Sequence, residues 1–319
     1  MSLLALDLGG TKLAITLFSF EGTILHKENI ALGARKDKEV GSLITNNIDV
    51  IVKSGQDNNN PVRSIGISVP GIYRIKKGTV WAPNIAGWDD YALLSEVQAV
   101  SGEIPVTIDS DRACSILGEV WKGKAGGCKD VIFLAIGTGI GAGILVNGTI
   151  LRGAHDISGA IGWMALMRPF IDEYTNYGCF EYYASGNGIA RVAQKILDEQ
   201  KSYKGQLRNK PVEEITSHDV FAAYETNDMV ATEVLKICVE YWGMAVANLV
   251  SIFNPEKIIL GGGVFGPAVQ FIPAIKEEAM KWAQPISIHQ VNLEPSALGS
   301  EAGVYGAGFM ALQAIHPSD

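Results

Sequence analysis

The sequence predicts an α/β chain of two domains, and three observations carry that expectation. An apolar run that breaks at a glycine corner and then resumes occurs twice, at Leu3–Phe18 (LLALDLGGTKLAITLF) and at Val131–Val146 (VIFLAIGTGIGAGILV). Around these runs, strand-like stretches alternate with segments of helical spacing. At 319 residues, 47% of them hydrophobic, the chain exceeds one core of ordinary size and carries apolar material for two.

In each copy the apolar run ends at a polar, glycine-rich tip, Asp7-Leu8-Gly9-Gly10-Thr11 in the first and Gly137-Thr138-Gly139-Ile140-Gly141 in the second. This is a β-hairpin with a polar tip, made twice. One such corner would be ordinary turn chemistry. Two of them could grip a polyphosphate, because glycine lets backbone N–H groups approach an anion, while a hydroxyl and a carboxylate nearby serve phosphate and metal. A third element, residues 254–264, runs a short apolar strand into Gly261, Gly262 and Gly263, bare backbone on which a flat purine or ribose can lie.

Taken in order, Gly22-Thr23 marks a turn and Ile24–Ile30 a third antiparallel strand. Val40–Ser54 has amphipathic helical spacing, ended by Gly55 and followed by a polar loop over 56–60. Ser64–Val69 reads as a buried strand leading to Pro70-Gly71, and Tyr73–Trp81 as a hairpin with Arg74, Lys76 and Lys77 near its turn. Asp89 or Asp90 is expected to cap a helix through Leu93 and Val97, and Pro105–Asp109 to form the last strand of the first half. Ser110 is expected to cap the helix that continues to Trp121, which places Asp111 in its first turn. The second half has a small-residue loop over Gly153–Gly162 and helices over 181–200, 229–253, from near Pro273 to Trp282, and 302–314. Met229–Phe253, long and mostly apolar, reads as a buried scaffold helix.

Composition narrows the partners. A net charge of −8, with no basic arm or helix, argues against nucleic acid or an anionic membrane. The longest apolar run is broken by glycines, so no membrane span is expected. The first residues enter a strand without a charged leader, which predicts a cytoplasmic protein. The four cysteines lack paired spacing and read as free thiols in a reducing compartment.

The two corners and the triple glycine resemble the phosphate-1, phosphate-2 and adenosine motifs of the actin-like ATPase superfamily. More narrowly, the chain resembles the ROK family of bacterial sugar kinases and sugar-responsive repressors. That resemblance rests on Val69-Pro70-Gly71, on Ala82 to Trp88 (APNIAGW), on Ser110-Asp111-Arg112-Ala113 before Leu117-Gly118-Glu119, on Gly178-Cys179-Phe180-Glu181 before Ala184-Ser185-Gly186, and on Leu298 to Gly303 (LGSEAG). It implies two ribonuclease-H-like lobes around a nucleotide and sugar cleft. Residues 1–112 would form the first lobe with the sugar-contacting loops, the helix of about 302–315 packing back on it, and residues 113–301 the second. A homodimer is implied as well.

The implied activity is ATP-dependent phosphorylation of a sugar hydroxyl. Asp111 matches the family's catalytic aspartate, where a carboxylate takes the hydroxyl proton as the oxygen attacks the γ-phosphate, an effect of roughly 10²–10⁴-fold. Otherwise Asp111 merely favours the helix N-terminus, worth about 1 kcal/mol; Asp109 ranks second as base. Mg-ATP would lie between the two hairpins, with Asp7 holding Mg²⁺ through water. Gly9, Gly10, Thr11, Lys12, Gly137, Thr138 and Gly139 would meet phosphate, and Gly261, Gly262 and Gly263 the nucleoside. Gly71, Asn84, Ser110, Asp111, His155, Trp163 and Glu181 are the expected sugar contacts. Asn84 and Glu181 match the family's contacting residues, although either type also suits a turn or a helix N-terminus.

The departures are local. Ser110 stands where most of the family has Asn, and Ala160-Ile161-Gly162-Trp163 where it has Glu-Ile-Gly-His. Of the family's zinc ligands only Cys179 remains, so no zinc site is expected. Trp163 either stacks its indole on a sugar ring or fills the space of the missing zinc module; His155 either restores a polar contact or is a surface residue. The altered pocket motivates an alternative, a non-catalytic sugar-binding sensor or degenerate kinase. Repressors of the family carry an N-terminal DNA-binding domain for which nothing precedes Leu3, so no nucleic-acid partner is expected.

Overall fold

A computed structural model of the chain describes residues 1–57 and 59–316. In chain order the elements are β1 (Ser2–Leu8), β2 (Lys12–Phe18), β3 (Ile24–Ala31), α1 (Lys38–Asp57), β4 (Val62–Val69), β5 (Ile72–Arg74), β6 (Thr79–Trp81), α2 (Leu93–Ser101), β7 (Val106–Ser110) and α3 (Asp111–Lys122). They continue with β8 (Val131–Ile136), β9 (Ile140–Val146), β10 (Thr149–Ile150), α4 (Tyr174–Tyr177), α5 (Cys179–Ala184), α6 (Gly186–Glu199), α7 (Ser217–Tyr224) and α8 (Met229–Phe253). The last are β11 (Lys257–Gly261), α9 (Ile272–Met280), α10 (Pro285–Gln290), β12 (Asn292–Pro295) and α11 (Ala302–Ile315). These form two units, one of residues 1–127, 150–158 and the segment from 300 onward, the other of 128–149 and 159–299.

Each unit is built on a five-stranded sheet, ordered β3-β2-β1-β4-β7 in the first and β10-β9-β8-β11-β12 in the second. In both, the hairpin strands pair antiparallel and the strands beyond them parallel. The repeat visible in the sequence as two hairpins is thus a repeat of the whole sheet.

In the first unit, period-two alternation explains why the strands read as unbroken apolar runs. Leu4, Leu6, Leu8, Leu13, Ile15, Ile65, Ile67, Val69 and Ile108 face a core shared with Val40, Ile44 and Ile48 of α1 and Leu93 and Val97 of α2. The alternate positions Leu3, Ala5 and Phe18 pack with Val304, Ala307 and Ala311 of α11. On that second face Ala5 and Gly66 are small, and the backbone of α11 comes close. A methyl on Gly66 would lie 1.9 Å from the Ala307 carbonyl oxygen, and one on Gly306 would lie 1.8 Å from that of Cys114 in α3. Asp7 continues the odd-numbered series of β1, so the alternation that buries Leu3 and Ala5 aims its carboxylate along this face.

In the second unit α8 is the scaffold expected from its apolar run: Trp242 is fully buried and its indole N–H donates to the Ala184 carbonyl at 3.0 Å. By length and composition this helix could cross a membrane, but 56% of its apolar window is buried inside the fold.

Several boundaries differ from expectation. Helix α1 runs through Gly55 to Asp57; the polar loop expected over 56–60 includes residue 58, outside the described residues. Neither Asp89 nor Asp90 caps α2, whose N-cap is Ala92; Asp90 accepts instead from Arg74, Lys77 and Thr79. The helix expected over 181–200 is two, because Ser185 takes an extended conformation and its hydroxyl caps α6 by accepting from Gly188 N–H at 3.0 Å. Helices α4, α7 and α10 and strand β12 had no place in the sequence reading.

Candidate active site

In the first unit three parallel strands set a polar row. The pairing register places Asp7 beside Ser68 and Ser68 beside Asp109. Ser68 is fully buried, and among the described residues its hydroxyl makes no hydrogen bond of normal geometry. The half-buried Asp7 carboxylate lies against Gly303 in the first turn of α11, where an added methyl would come within 2.8 Å of both its oxygens. Burial pushes its pKa up, opposed by Ser68 and by the charge of Lys12. Gly9 closes the first corner by donating to the Lys12 carbonyl at 2.9 Å, and Thr11 and Lys12 are exposed. Gly10 carries no Cβ where the Asn84 side chain passes; a methyl there would be 2.8 Å from its Nδ2.

The strand-to-helix turn at 109–112 separates the two aspartates named as bases. Asp109 is 3% exposed, pairs with Arg152 and accepts from Ser110 N–H at 2.8 Å. Burial raises its pKa and Arg152 opposes the rise; with its cation in place, it has no free oxygen for chemistry. Asp111, the first residue of α3, is half-buried and, among the described residues, accepts only from the neighbouring Arg112 N–H, at 2.8 Å. Burial raises it to about 6, with Arg112 lowering it and Asp7 adding to the rise. Ser110 spends its hydroxyl on the cap, accepting from Ala113 N–H at 3.4 Å. The Arg112 guanidinium donates to the Gly71 carbonyl at 3.1 Å, so Gly71, Ser110 and Asp111 are brought together. His155 is exposed, on a segment whose Arg152 binds Asp109 and whose Asp156 accepts from Ile75 N–H.

In the second unit the corner closes by Gly137 N–H donating to the Gly139 carbonyl at 2.9 Å, and Gly186 N–H at the start of α6 donates to the Gly137 carbonyl at 2.7 Å. This corner borders a cavity of about 340 Å³ lined by Thr138, Gly186, Asn187, Thr216, His218 and Gly263 among others. Two helix N-termini point their capped first turns at it, α6 through Ser185 and α7 through a capping box of Thr216 and Asp219. The three glycines serve different ends. Gly261 leaves room for the Phe133 ring, 2.3 Å from where a methyl would stand; Gly262 has φ +87; Gly263 has nothing within 4 Å and opens on the cavity. Glu181 accepts from Ile140 N–H at 2.7 Å through Oε2. Trp163 is 57% exposed, so it does not fill a core.

Sequence reasoning missed Arg112, Arg152, Ser68 and the α6 and α7 side of the cavity. The T-x-x-D capping box at Thr216–Asp219 was a legible signal. Cys179 is buried, and among the described residues no three His, Cys, Asp or Glu side chains cluster as metal ligands do.

Comparison with known proteins gives a consistent picture. The model of the ROK family matches residues 3–314. A protein of Halalkalibacterium halodurans described as a glucokinase is 32% identical over 96% of this chain and 94% of its own. A xylose repressor of Caldicellulosiruptor bescii is 31% identical over 98% of this chain and 78% of its own. The crystal structure of a ROK family glucokinase from Streptomyces griseus in complex with glucose and AMPPNP superposes with a TM-score of 0.76 at 26% identity, over 98% of this chain and 100% of that one.

Proposed function

The chain belongs to the ROK family, and from that premise and the geometry above we propose that it is a carbohydrate kinase transferring the γ-phosphoryl group of ATP to a sugar hydroxyl. The observation that carries the reading is the contrast at the 109–112 turn. Asp109 is consumed by Arg152, whereas Asp111 keeps a carboxylate oxygen free and sits near pKa 6, where a base is both deprotonated and able to take a proton at neutral pH. Asp111 accepts the hydroxyl proton. Gly71, Asn84, Ser110, His155, Trp163 and Glu181 orient the sugar, and Arg112 holds Gly71 against the base. The first corner, at Gly9, Gly10, Thr11 and Lys12, and the second, at Gly137, Thr138 and Gly139, hold phosphate. The nucleoside occupies the cavity at Gly263, beside Gly261 and Gly262, with the N-termini of α6 and α7 favouring the negative charge of its phosphates.

A lone carboxylate beside a buried hydroxyl suits a cation that keeps most of its waters, so Asp7 would hold Mg²⁺, which neutralises charge on the transferring phosphate. Zinc has no part. The protein works in the cytoplasm as a homodimer on a free sugar, with no nucleic acid or membrane. The substituted Ala160 and Trp163, and a relative described as a repressor, support a second reading, a sugar sensor without catalysis. A panel of hexoses and pentoses with Mg-ATP, scored by ADP release, tests the two: kinase activity predicts release that depends on at least one sugar, and a sensor predicts binding without it.

A further inference from the structure

In the second unit, the side chain expected to touch sugar is hydrogen-bonded to the corner expected to hold phosphate. Glu181 stands in the first turn of α5, and its Oε2 accepts from Ile140 N–H, immediately after the glycine corner, at 2.7 Å. Two glycines are cleared for it. A methyl on Gly139 would lie 2.9 Å from Oε2, and one on Gly162 would lie 3.0 Å from both Cβ and Oε2. The carboxylate therefore fits a slot between the corner and the turn at 161–163, and any larger residue at either glycine would push it out. Burial raises its pKa, partly offset by Ile140 N–H and Arg191. Among the described residues no hydrogen bond to Oε1 accompanies that of Oε2, so one oxygen holds the corner while the other is available to a ligand.

We propose that Glu181 is a positioning residue for the nucleotide as well as a sugar contact: it fixes the 137–140 corner for phosphate, and a sugar hydroxyl bound to Oε1 steadies the same carboxylate. Sugar and nucleotide then tighten each other's binding by the same factor, as linkage requires. This rests on the reading of residues 137–139 as a phosphate corner. The proposal asks of Glu181 an acceptor oxygen, not a charge, because the Ile140 N–H needs only an acceptor.

The test is titration of Mg-AMPPNP, in the absence of any sugar, into wild type, Glu181→Gln, Glu181→Leu and Gly162→Ala. Glutamine keeps an acceptor for Ile140 N–H and is expected to bind nucleotide within about twofold of wild type. Leucine strands that N–H and is expected to weaken binding about tenfold, the scale of one lost hydrogen bond. Gly162→Ala, whose methyl would meet the carboxylate at 3.0 Å and the Ile140 carbonyl at the same distance, is expected to fall between, and carries the test if the leucine variant does not fold. Unchanged affinity in both Glu181→Leu and Gly162→Ala overturns the proposal, as does a glutamine variant as weak as leucine. If wild type itself does not bind Mg-AMPPNP, the phosphate-corner reading fails instead. A sugar KM unchanged in Glu181→Gln removes the sugar contact but leaves the nucleotide arm standing.

Discussion

Replacing Asp111 by Asn should cost activity and raise stability, and both magnitudes follow from the same burial. The carboxyl is raised to about 6 in the folded chain by desolvation, against a usual value of 3.8. Below pH 3.8 both folded and unfolded chains hold the proton, and the group has no stability cost. Between 3.8 and about 6 the unfolded chain loses its proton while the folded chain keeps it, so stability falls as pH rises and the loss is complete above 6. Two units at about 1.4 kcal/mol each, trimmed for partial exposure, give a penalty of about 2 kcal/mol at pH 8 that Asn escapes. Urea unfolding without nucleotide or metal, at pH 4 and pH 8, should show Asp111→Asn gaining about 2 kcal/mol on wild type only at the higher pH. Sugar-dependent ADP release should fall at least about a hundredfold, the scale of losing a general base. Wild-type activity should rise with pH through about 6, and the residual activity of the variant should lack that limb. A variant within tenfold of wild type, or one equally destabilised at both pH values, would refute the reasoning.

Three further outcomes are expected. Gly261→Ala should lose about 1–3 kcal/mol of stability by crowding Phe133, whereas Gly263→Ala should keep the wild-type Tm and weaken ATP binding, since its methyl meets only the open cavity. Arg152→Met should cost about 3 kcal/mol by leaving the Asp109 carboxylate buried without its cation, and most of that loss should vanish when Asp109→Asn is added, as a double-mutant cycle in urea would show. Trp163→His should change stability by less than about 0.5 kcal/mol, because the indole is 57% exposed, while reordering kcat/KM across a sugar panel.

The elements that the sequence made legible are those whose signal is local. Both hairpins, the capping of α3 by Ser110 and the apolar run of α8 depend on residues next to one another in the chain, and each is present. What stayed hidden depends on distant pairings. Asp90 looks like a helix cap until Arg74 and Thr79 arrive from the neighbouring hairpin and take its oxygens. Spacing alone does not separate Asp109 from Asp111; the resemblance ranks Asp111 first, and the physical difference is Arg152, 43 residues beyond Asp109, which takes the Asp109 carboxylate. The break at Ser185 interrupts a stretch of helical spacing because Gly186 N–H turns toward Gly137 rather than along the helix. Of the three consecutive glycines, the sequence offers no means of telling the one that clears Phe133 from the one that faces the cavity.

The central claim is group transfer, and ADP release alone does not distinguish it from hydrolysis. With γ-³²P-labelled Mg-ATP and the best sugar of the panel, wild type should move the label onto the sugar as a monophosphate ester, with Asp111→Asn slower by at least about a hundredfold. Label that remains on ATP or appears only as free phosphate, while the sugar still binds, would contradict the account.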